Sequence, residues 1–161
     1  MHLDVRVQTG DFDVAGEYAA LRGRLPPGAG AVASFVGLVR DVAPAAGAEP
    51  VRALYLEHYP GMTERSIRAI AGQAQQRWPL LDLVVIHRVG RLEPTEQIVF
   101  VQAAASHRAA AFAACEFVMD YLKTDAVFWK REDTDAGGRW VEATRDDRRR
   151  VNAWAGAPDD G

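Results

Sequence analysis

The stretch that decides the fold class is DLVVIHRVGRLEPTEQIVFVQAAASHRAAAFAACEFVMDYLK, residues 82–123. Its first part contains two apolar runs, residues 82–90 and 97–105, with the length and β-branched content of strands. The short RLEPTE segment between them suits a turn, and strands joined by a short turn pair antiparallel. From Ser106 to Lys123 the apolar residues repeat at helical spacing, and Ser106 is in position to cap that helix. This arrangement favours an α+β fold over a doubly wound parallel sheet.

The flanking segments continue the same mixture of strands and helices. Alternating or apolar patterns predict strands at residues 3–8, 31–40 and 51–59. Asp13 is in position to cap a first helix, and Thr63 a second, long helix that ends before Pro79. Beyond residue 123, VFWKRE and GRWVEA predict a terminal hairpin. The sequence therefore predicts an α+β domain with mostly antiparallel strands and two long helices.

The chain has 161 residues, which is enough for one domain with a substantial core. We predict a single domain over residues 1–145 and a charged, flexible C-terminal tail over residues 146–161. Residues 41–50, DVAPAAGAEP, show no periodicity and are predicted to form a mobile loop that is a candidate for a functional role.

Composition excludes several functional classes. The net charge of −3 provides no general attraction to nucleic acid or to an anionic membrane. A single cysteine, Cys115, excludes an intrachain disulfide framework and fits a reducing compartment. The N-terminus lacks the apolar run of a signal peptide, and no stretch approaches the ~20 apolar residues of a membrane helix. We therefore expect a cytoplasmic protein. The four histidines show no ligand spacing and Gly-rich phosphate motifs are missing, so neither a metal site nor a cofactor is expected.

The candidate functional residues are cations in unusual positions. His107 and Arg108 begin a helix, where the helix dipole disfavours positive charge, and a bound anion would compensate them. Arg40 ends an apolar strand, Lys123 ends the helix that His107 begins, and Lys130 lies between aromatic residues and Arg131. Each has a structural alternative: Lys123 complements a helix C-terminus, Lys130 and Arg131 guard a strand edge, and Arg40 is a surface charge.

Other reactive side chains have a stronger structural interpretation. Cys115 lies on the apolar face of its helix, where a thiol packs in the core rather than relaying sulfur. His58 precedes Tyr and Pro at a strand end and is interpreted as a turn residue, while His87, within an apolar strand, is interpreted as a satisfied sheet residue. The run RDDRRR in the tail is interpreted as a solvated face.

Several long motifs carry a family resemblance: FVGLVRD, LYLEHYPGMTE, RWPL, VVIHRVGRLEP, SHRAAAFAACEFVMDYLKTDAVFWKRE and RWVEA. Together, over roughly residues 30 to 145, they resemble the large, catalytic subunit of molybdopterin synthase. The resemblance implies an α/β-hammerhead fold and a homodimer within a heterotetramer, with a small ubiquitin-like sulfur-carrier subunit at each end. It implies a sulfurtransferase that converts cyclic pyranopterin monophosphate (precursor Z) to the molybdopterin dithiolene. The sulfur comes from a thiocarboxylate on the carrier's C-terminal Gly-Gly tail.

The resemblance also implies the site residues. Lys123 and Lys130 match catalytic positions. Positions that bind substrate are matched by Arg40, His107, Arg108, Arg131 and Glu132. Phe35 and Met119 match positions that line the pocket or contact the carrier tail.

Two positions depart from the family pattern. Leu38 stands where a Lys or Arg is common, and Thr144 stands where the family has an Arg, with Arg145 one residue later. These changes leave open the alternative of a non-catalytic anion-binding or scaffold module with the same fold. Because both lysines are present, we favour the enzyme.

Overall fold

The computed structural model describes residues 1–41, 47 and 49–156. Most of the predicted loop 41–50 and the last five residues of the predicted tail lie outside the described residues. The strands are β1 (His2–Gln8), β2 (Ala31–Leu38), β3 (Ala53–His58), β4 (Leu80–Arg88), β5 (Gly90–Leu92), β6 (Gln97–Ala105), β7 (Phe128–Thr134) and β8 (Gly137–Val141). The helices are α1 (Val14–Arg24), α2 (Met62–Arg77), α3 (Arg108–Leu122) and α4 (Arg145–Ala155). No helix in these residues is long and apolar enough to cross a membrane.

The strands form two four-stranded sheets, which we call sheet A and sheet B. Sheet A has the order β1-β4-β6-β2 and sheet B the order β5-β3-β7-β8. The β1–β4 pair is parallel, and the other described pairs are antiparallel. The predicted α+β class with mostly antiparallel strands is therefore confirmed, as are the two long helices, α2 and α3.

Apolar side chains hold both faces of sheet A and join it to sheet B. Helices α2 and α3 cover one face, where Ile67 and Phe117 are completely buried beside Val85 of β4. Helix α1 covers the other face through Leu21, which packs in a separate cluster with Phe100. A third cluster lies under sheet B, and Ile98 and Phe128 pack against both it and the main core. The ends of the two sheets are thereby held against each other.

The observed helix starts correct two of the predicted caps. Asp13 caps α1 as predicted, because its carboxylate accepts a hydrogen bond from the amide of Ala15. Helix α2 begins earlier than predicted, after Gly61 at φ 83°, a conformation that favours glycine. Thr63 is instead buried within the helix, where its hydroxyl donates to the carbonyl of Val127 at 2.7 Å. Helix α3 begins at Arg108 with His107 as its N-cap, one residue later than predicted from Ser106.

Part of the predicted flexible tail forms a helix. Helix α4 is capped by Thr144, whose hydroxyl accepts from the amide of Asp147 at 3.1 Å while the Asp147 carboxylate accepts from the Thr144 amide at 2.8 Å. Trp154, at the far end of α4, packs edge-on against Trp78 and Phe117. Residues 146–155 of the predicted tail are therefore helical, and this short charged helix gains its stability from a cap and a few long side chains.

A buried ion pair fixes α1 to sheet A. The guanidinium of Arg24 donates to both carboxylate oxygens of Asp82 at 2.6 and 3.0 Å, and the Asp82 side chain is only 2% exposed. Arg24→Ala should lower the free energy of unfolding by about 3 kcal/mol, because a buried carboxylate loses its main partner. Urea unfolding measures the change, with Arg22→Ala, an exposed arginine of the same helix, as the control. Equal urea midpoints for the two variants would contradict this role.

Candidate functional site

Three of the predicted cations lie at one end of sheet A. Arg40 follows β2, Lys123 is the C-cap residue of α3, and Lys130 lies in β7. Strand β2 runs antiparallel to β6. Helix α3 turns back along β6, as shown by the contact of the Cys115 thiol with the carbonyl of Val101. Both β2 and α3 therefore end near the start of β6, which brings Arg40 and Lys123 together beside β7.

The charges of Lys123 and Arg40 act on Lys130. Burial lowers the pKa of Lys130 below its usual value, and the positive charges of Lys123 and Arg40 lower it further, whereas the carboxylate of Glu132 opposes the effect. Lys130 is half-buried and Lys123 is exposed. Lys123 and Lys130 are the only lysines in the chain. All other permanently positive side chains are arginines. Both lysines of the chain thus lie in the cluster that they form with Arg40.

A groove leads from the edge of sheet A to Lys123. It has a volume of about 430 Å³ and runs between α3 and β2, which is one of the two edge strands of sheet A. Phe35 and Met119, the two predicted pocket-lining residues, lie in its wall. The other lining residues are Ala33, Ser34, Phe112, Cys115, Glu116, Asp120, Asp147 and Arg150. Phe35 is 42% and Phe112 65% exposed, so apolar surface faces the open groove.

Helix α4 forms one side of this groove through contacts with α3. Arg150 donates to Asp120 at 2.8 Å and to Glu116 at 2.7 Å, and the indole of Trp154 donates to the other oxygen of Asp120 at 2.8 Å. These bonds place Asp147 near Lys123 and Lys130. Burial, the largest influence, raises the pKa of Asp147, but its hydrogen bonds to Thr144 and the charges of the two lysines lower it, and the net pKa is below the usual value. The sequence analysis missed Asp147 and Arg150, because the run RDDRRR offered no signal beyond that of a solvated face.

His107 and Arg108 do not join the three cations within one chain. They lie at the start of α3, and the helix has 15 residues, so it separates them from Lys123 by about 22 Å. The imidazole of His107 makes no capping bond to the helix. The start of α3 lies close against the chain before β2, where a Cβ on Gly30 would come within 2.2 Å of the Ser106 carbonyl oxygen.

Arg131 and Glu132, the remaining predicted residues, lie on opposite faces of β7. Arg131 points away from Lys130, with its guanidinium 4.5 Å from the centre of the Tyr55 ring. Glu132 shares the face of Lys130, and its carboxylate accepts from Arg139 of β8 at 2.7 Å. Of the two, Glu132 is therefore the residue placed to act on the cation cluster within one chain.

Cys115 lines the groove but is held as a thiol. Burial, with a smaller contribution from the charge of Glu116, raises its pKa to about 11. A thiolate is the reactive form of cysteine, so this side chain is a poor nucleophile near neutral pH. Cys115→Ser should retain the activity that the family resemblance implies within about twofold, measured in a reconstituted assay. A loss of activity in a folded Cys115→Ser protein would identify the thiol as a participant.

Metal ligation has no support in the described part of the chain, where no three His, Cys, Asp or Glu side chains cluster as a metal site would require.

The two departures from the family pattern have distinct surroundings. Leu38 is 54% exposed at the end of β2. Thr144 caps α4, so its position has a structural role.

Comparison with known proteins identifies the family. The family model described as MoaE protein matches residues 7–125. The molybdopterin synthase catalytic subunit of Ralstonia nicotianae is 54% identical over 93% of this chain and 83% of that protein. The protein of the same name from Pseudomonas aeruginosa is 55% identical over 93% of this chain and 97% of its own length. The solved structure of the molybdopterin biosynthesis MoaE protein from Burkholderia ambifaria MC40-6 aligns with a TM-score of 0.80 and 52% identity, covering 98% of this chain and 100% of that one. Since the family model spans most of the chain and these relatives are more than half identical to it, the chain belongs to the MoaE family.

Proposed function

We propose that this protein is the catalytic subunit of molybdopterin synthase, a cytoplasmic sulfurtransferase. It transfers sulfur from a thiocarboxylated small carrier subunit to precursor Z and forms the molybdopterin dithiolene. The observation that carries the proposal is the meeting of Arg40 with Lys123 and Lys130, the chain's two lysines, at the end of an open groove.

The charge of this cluster suits two anionic reactants. Precursor Z carries a phosphate ester, and the sulfur donor is a thiocarboxylate. At ~4 Å and an effective dielectric constant near 20, two such charges repel each other by about 4 kcal/mol. Fixed cations offset this repulsion, with arginine suited to the planar geometry of phosphate and lysine supplying a movable point charge.

The groove suits the carrier's tail. A Gly-Gly terminus is slender and extended, and the groove runs beside the described edge of β2 toward Lys123. An extended peptide can add to a free sheet edge through main-chain hydrogen bonds. The exposed rings of Phe35 and Phe112 would contact the residues that precede the terminus.

The lysines then act on the reacting atoms. The thiocarboxylate sulfur attacks a carbon of the substrate, and the oxygen on that carbon leaves with its electron pair. Lys123 stabilises the developing negative charge as a preorganised donor and supplies a proton to the departing oxygen. Lys130 shares the charge. The product of this step is an acyl link between carrier and substrate, which water cleaves before a second loaded carrier repeats the transfer.

A second copy of the chain would complete the site. Within one chain His107 and Arg108 lie about 22 Å from Lys123 along α3. In a two-fold symmetric homodimer, the start of one copy's α3 can face the end of the other's. We therefore place His107 and Arg108 of one copy beside Lys123 of its partner, as phosphate-binding groups. One carrier subunit at each site gives a heterotetramer.

Reconstitution tests this function against the alternative of a non-catalytic scaffold. The purified chain is mixed with thiocarboxylated carrier and precursor Z, and the dithiolene product is measured. An enzyme consumes two thiocarboxylates for each product. A scaffold binds carrier and substrate without consuming either.

The groove makes a separate prediction about carrier binding. Phe35→Ser should raise the KM for the thiocarboxylated carrier by about 10-fold with a smaller change in kcat, because an exposed aromatic anchor is lost from the tail's path. Tyr18→Ser is the matched control, since Tyr18 is 43% exposed compared with 42% for Phe35 but lies on α1, across sheet A. An equal effect of the two substitutions would exclude the groove as the tail's binding site.

A further inference from the structure

His87 is a buried polar residue at the same end of sheet A as the cation cluster. It is opposite Val99 of β6, which in turn is opposite Gly37 of β2. The imidazole stacks on Phe128 of β7 with ring centres 4.1 Å apart and an interplanar angle of 29°. Phe128 precedes Lys130 by two residues and so shares its face of the strand. The ring therefore lies beneath the part of β7 that carries Lys130.

The tautomer of this imidazole is fixed. Nδ1 lies 2.8 Å from the carbonyl oxygen of Arg88. Since a carbonyl oxygen only accepts hydrogen bonds, Nδ1 carries the proton and Nε2 carries a lone pair. Burial lowers the pKa of His87 to about 4, and the charges of Lys130 and Lys123 contribute to that shift. The ring is therefore neutral at physiological pH, with Nε2 as an acceptor.

Nε2 has no protein partner in the described part of the chain. The hydrogen bond of the His87 ring is the one at Nδ1. The side-chain atoms there that lack both a partner and contact with solvent are Arg6 Nε and Gln102 Oε1. Because Nε2 is not one of them, it keeps some contact with solvent, as a bound water would require. A nine-tenths-buried residue thus presents a free acceptor within reach of the charges of Lys130 and Lys123.

The chemistry of the site needs such an acceptor. Arg40, Lys123 and Lys130 offer only donors. A water molecule that attacks a carbonyl carbon directs a lone pair at that carbon and needs an acceptor for one of its protons. The nearby carboxylates each accept hydrogen bonds through one oxygen: Glu132 from Arg139, and Asp147 from Thr144. His87 Nε2 is free of such a bond.

We propose that His87 is a positioning residue for the water that cleaves the acyl link between carrier and substrate, with Nε2 accepting a hydrogen bond from that water. This inference rests on the proposed sulfur-transfer function. The water oxygen bonds to the carbonyl carbon, and the C–S bond breaks with its electron pair going to sulfur, which remains on the substrate. The ammonium of Lys130 protonates that sulfur, and the proton released from the water restores Lys130. The carrier leaves as a carboxylic acid and ionises.

Three substitutions distinguish the roles of the two ring nitrogens of His87. His87→Phe keeps a flat ring against Phe128 but removes both polar atoms. His87→Asn places an amide near Nδ1 and leaves nothing at Nε2, whereas His87→Gln reaches the Nε2 position with an acceptor.

Single-turnover reactions with thiocarboxylated carrier and precursor Z are followed by intact-mass analysis of the carrier. We expect His87→Phe and His87→Asn to accumulate the acyl-linked carrier–substrate adduct and to slow its cleavage by about 10²-fold. His87→Gln should cleave it within a few-fold of the unsubstituted protein.

Results that refute the role of His87 can be told apart from results that refute the proposed sulfur-transfer function. Absence of the adduct in folded His87→Phe and His87→Asn, or equal accumulation in His87→Gln and His87→Asn, would overturn the proposal. If the variants do not fold, nitrogen NMR of the unsubstituted protein decides: a proton on Nδ1 between pH 6 and 8 supports the assignment, and a proton on Nε2 refutes it. Loss of both adduct and product in the unsubstituted protein would refute the proposed function, while the NMR result would still report the tautomer.

Discussion

Lys123→Ala should reduce the rate of dithiolene formation by about 10³-fold, because it removes the group that we propose stabilises the developing negative charge. The residue is exposed and ends α3, so its side chain contributes little to the core. We therefore expect nearly unchanged thermal stability. The loss should appear in kcat for the reconstituted reaction, since Phe35 and Phe112, the proposed contacts of the carrier tail, are unchanged.

Arg68→Ala is the matched control for this substitution. Arg68 is also exposed and helical, but it lies on α2 and does not line the groove. It should leave the rate within about twofold of the unsubstituted protein, as surface substitutions usually do. A Lys123→Ala protein that turns over at the original rate would remove Lys123 from the mechanism.

Lys130→Met should make the protein more stable and less active. Burial and the like charges of Lys123 and Arg40 oppose the ammonium of Lys130 in the folded state, as its lowered pKa shows. Replacing it with an apolar side chain of similar length should stabilise the protein by about 1 kcal/mol at neutral pH. The rate of sulfur transfer should fall by about 10²-fold, because the charge it supplies is lost.

The sign of the pH dependence follows from the lowered pKa. Between that pKa and the usual lysine value, the unfolded chain binds more protons at residue 130 than the native state does. The stability of the unsubstituted protein therefore rises with pH across this interval, and the advantage of Lys130→Met should shrink as the pH approaches 10.5. Urea unfolding at several pH values measures the difference. A constant difference from pH 7 to 10 would contradict the assigned environment of Lys130.

Local sequence pattern was sufficient for most of the fold. Strands β4 and β6 with helix α3 were predictable because apolar periodicity and a short turn coincide there. Helix α4 was not, since none of its residues is buried and it depends on Arg150 and Trp154 reaching Asp120 of α3. Thr63 has the composition of a cap, and only the tertiary contact with Val127 explains why it lies inside α2 instead.

For the candidate site, the sequence indicated residues more readily than their arrangement in the fold. The family resemblance selected Arg40, Lys123 and Lys130, and these residues lie together. The predicted helix already placed His107 and Arg108 at the opposite end of α3 from Lys123, but the sequence could not indicate which groups lie beside each end. His87 was interpreted as a satisfied sheet residue, and only the tautomer imposed by the Arg88 carbonyl reveals a free acceptor at Nε2.

The central claim is a sulfur-transfer site made from the Lys123 end of one chain and the Arg108 end of a second copy. Mixing Lys123→Ala chains with Arg108→Ala chains, each inactive alone, tests it most directly. In a shared-site homodimer, half of the randomly mixed dimers have one intact site, so about a quarter of the original activity should return. Activity that stays at the level of the separate variants after verified exchange of chains would contradict the account.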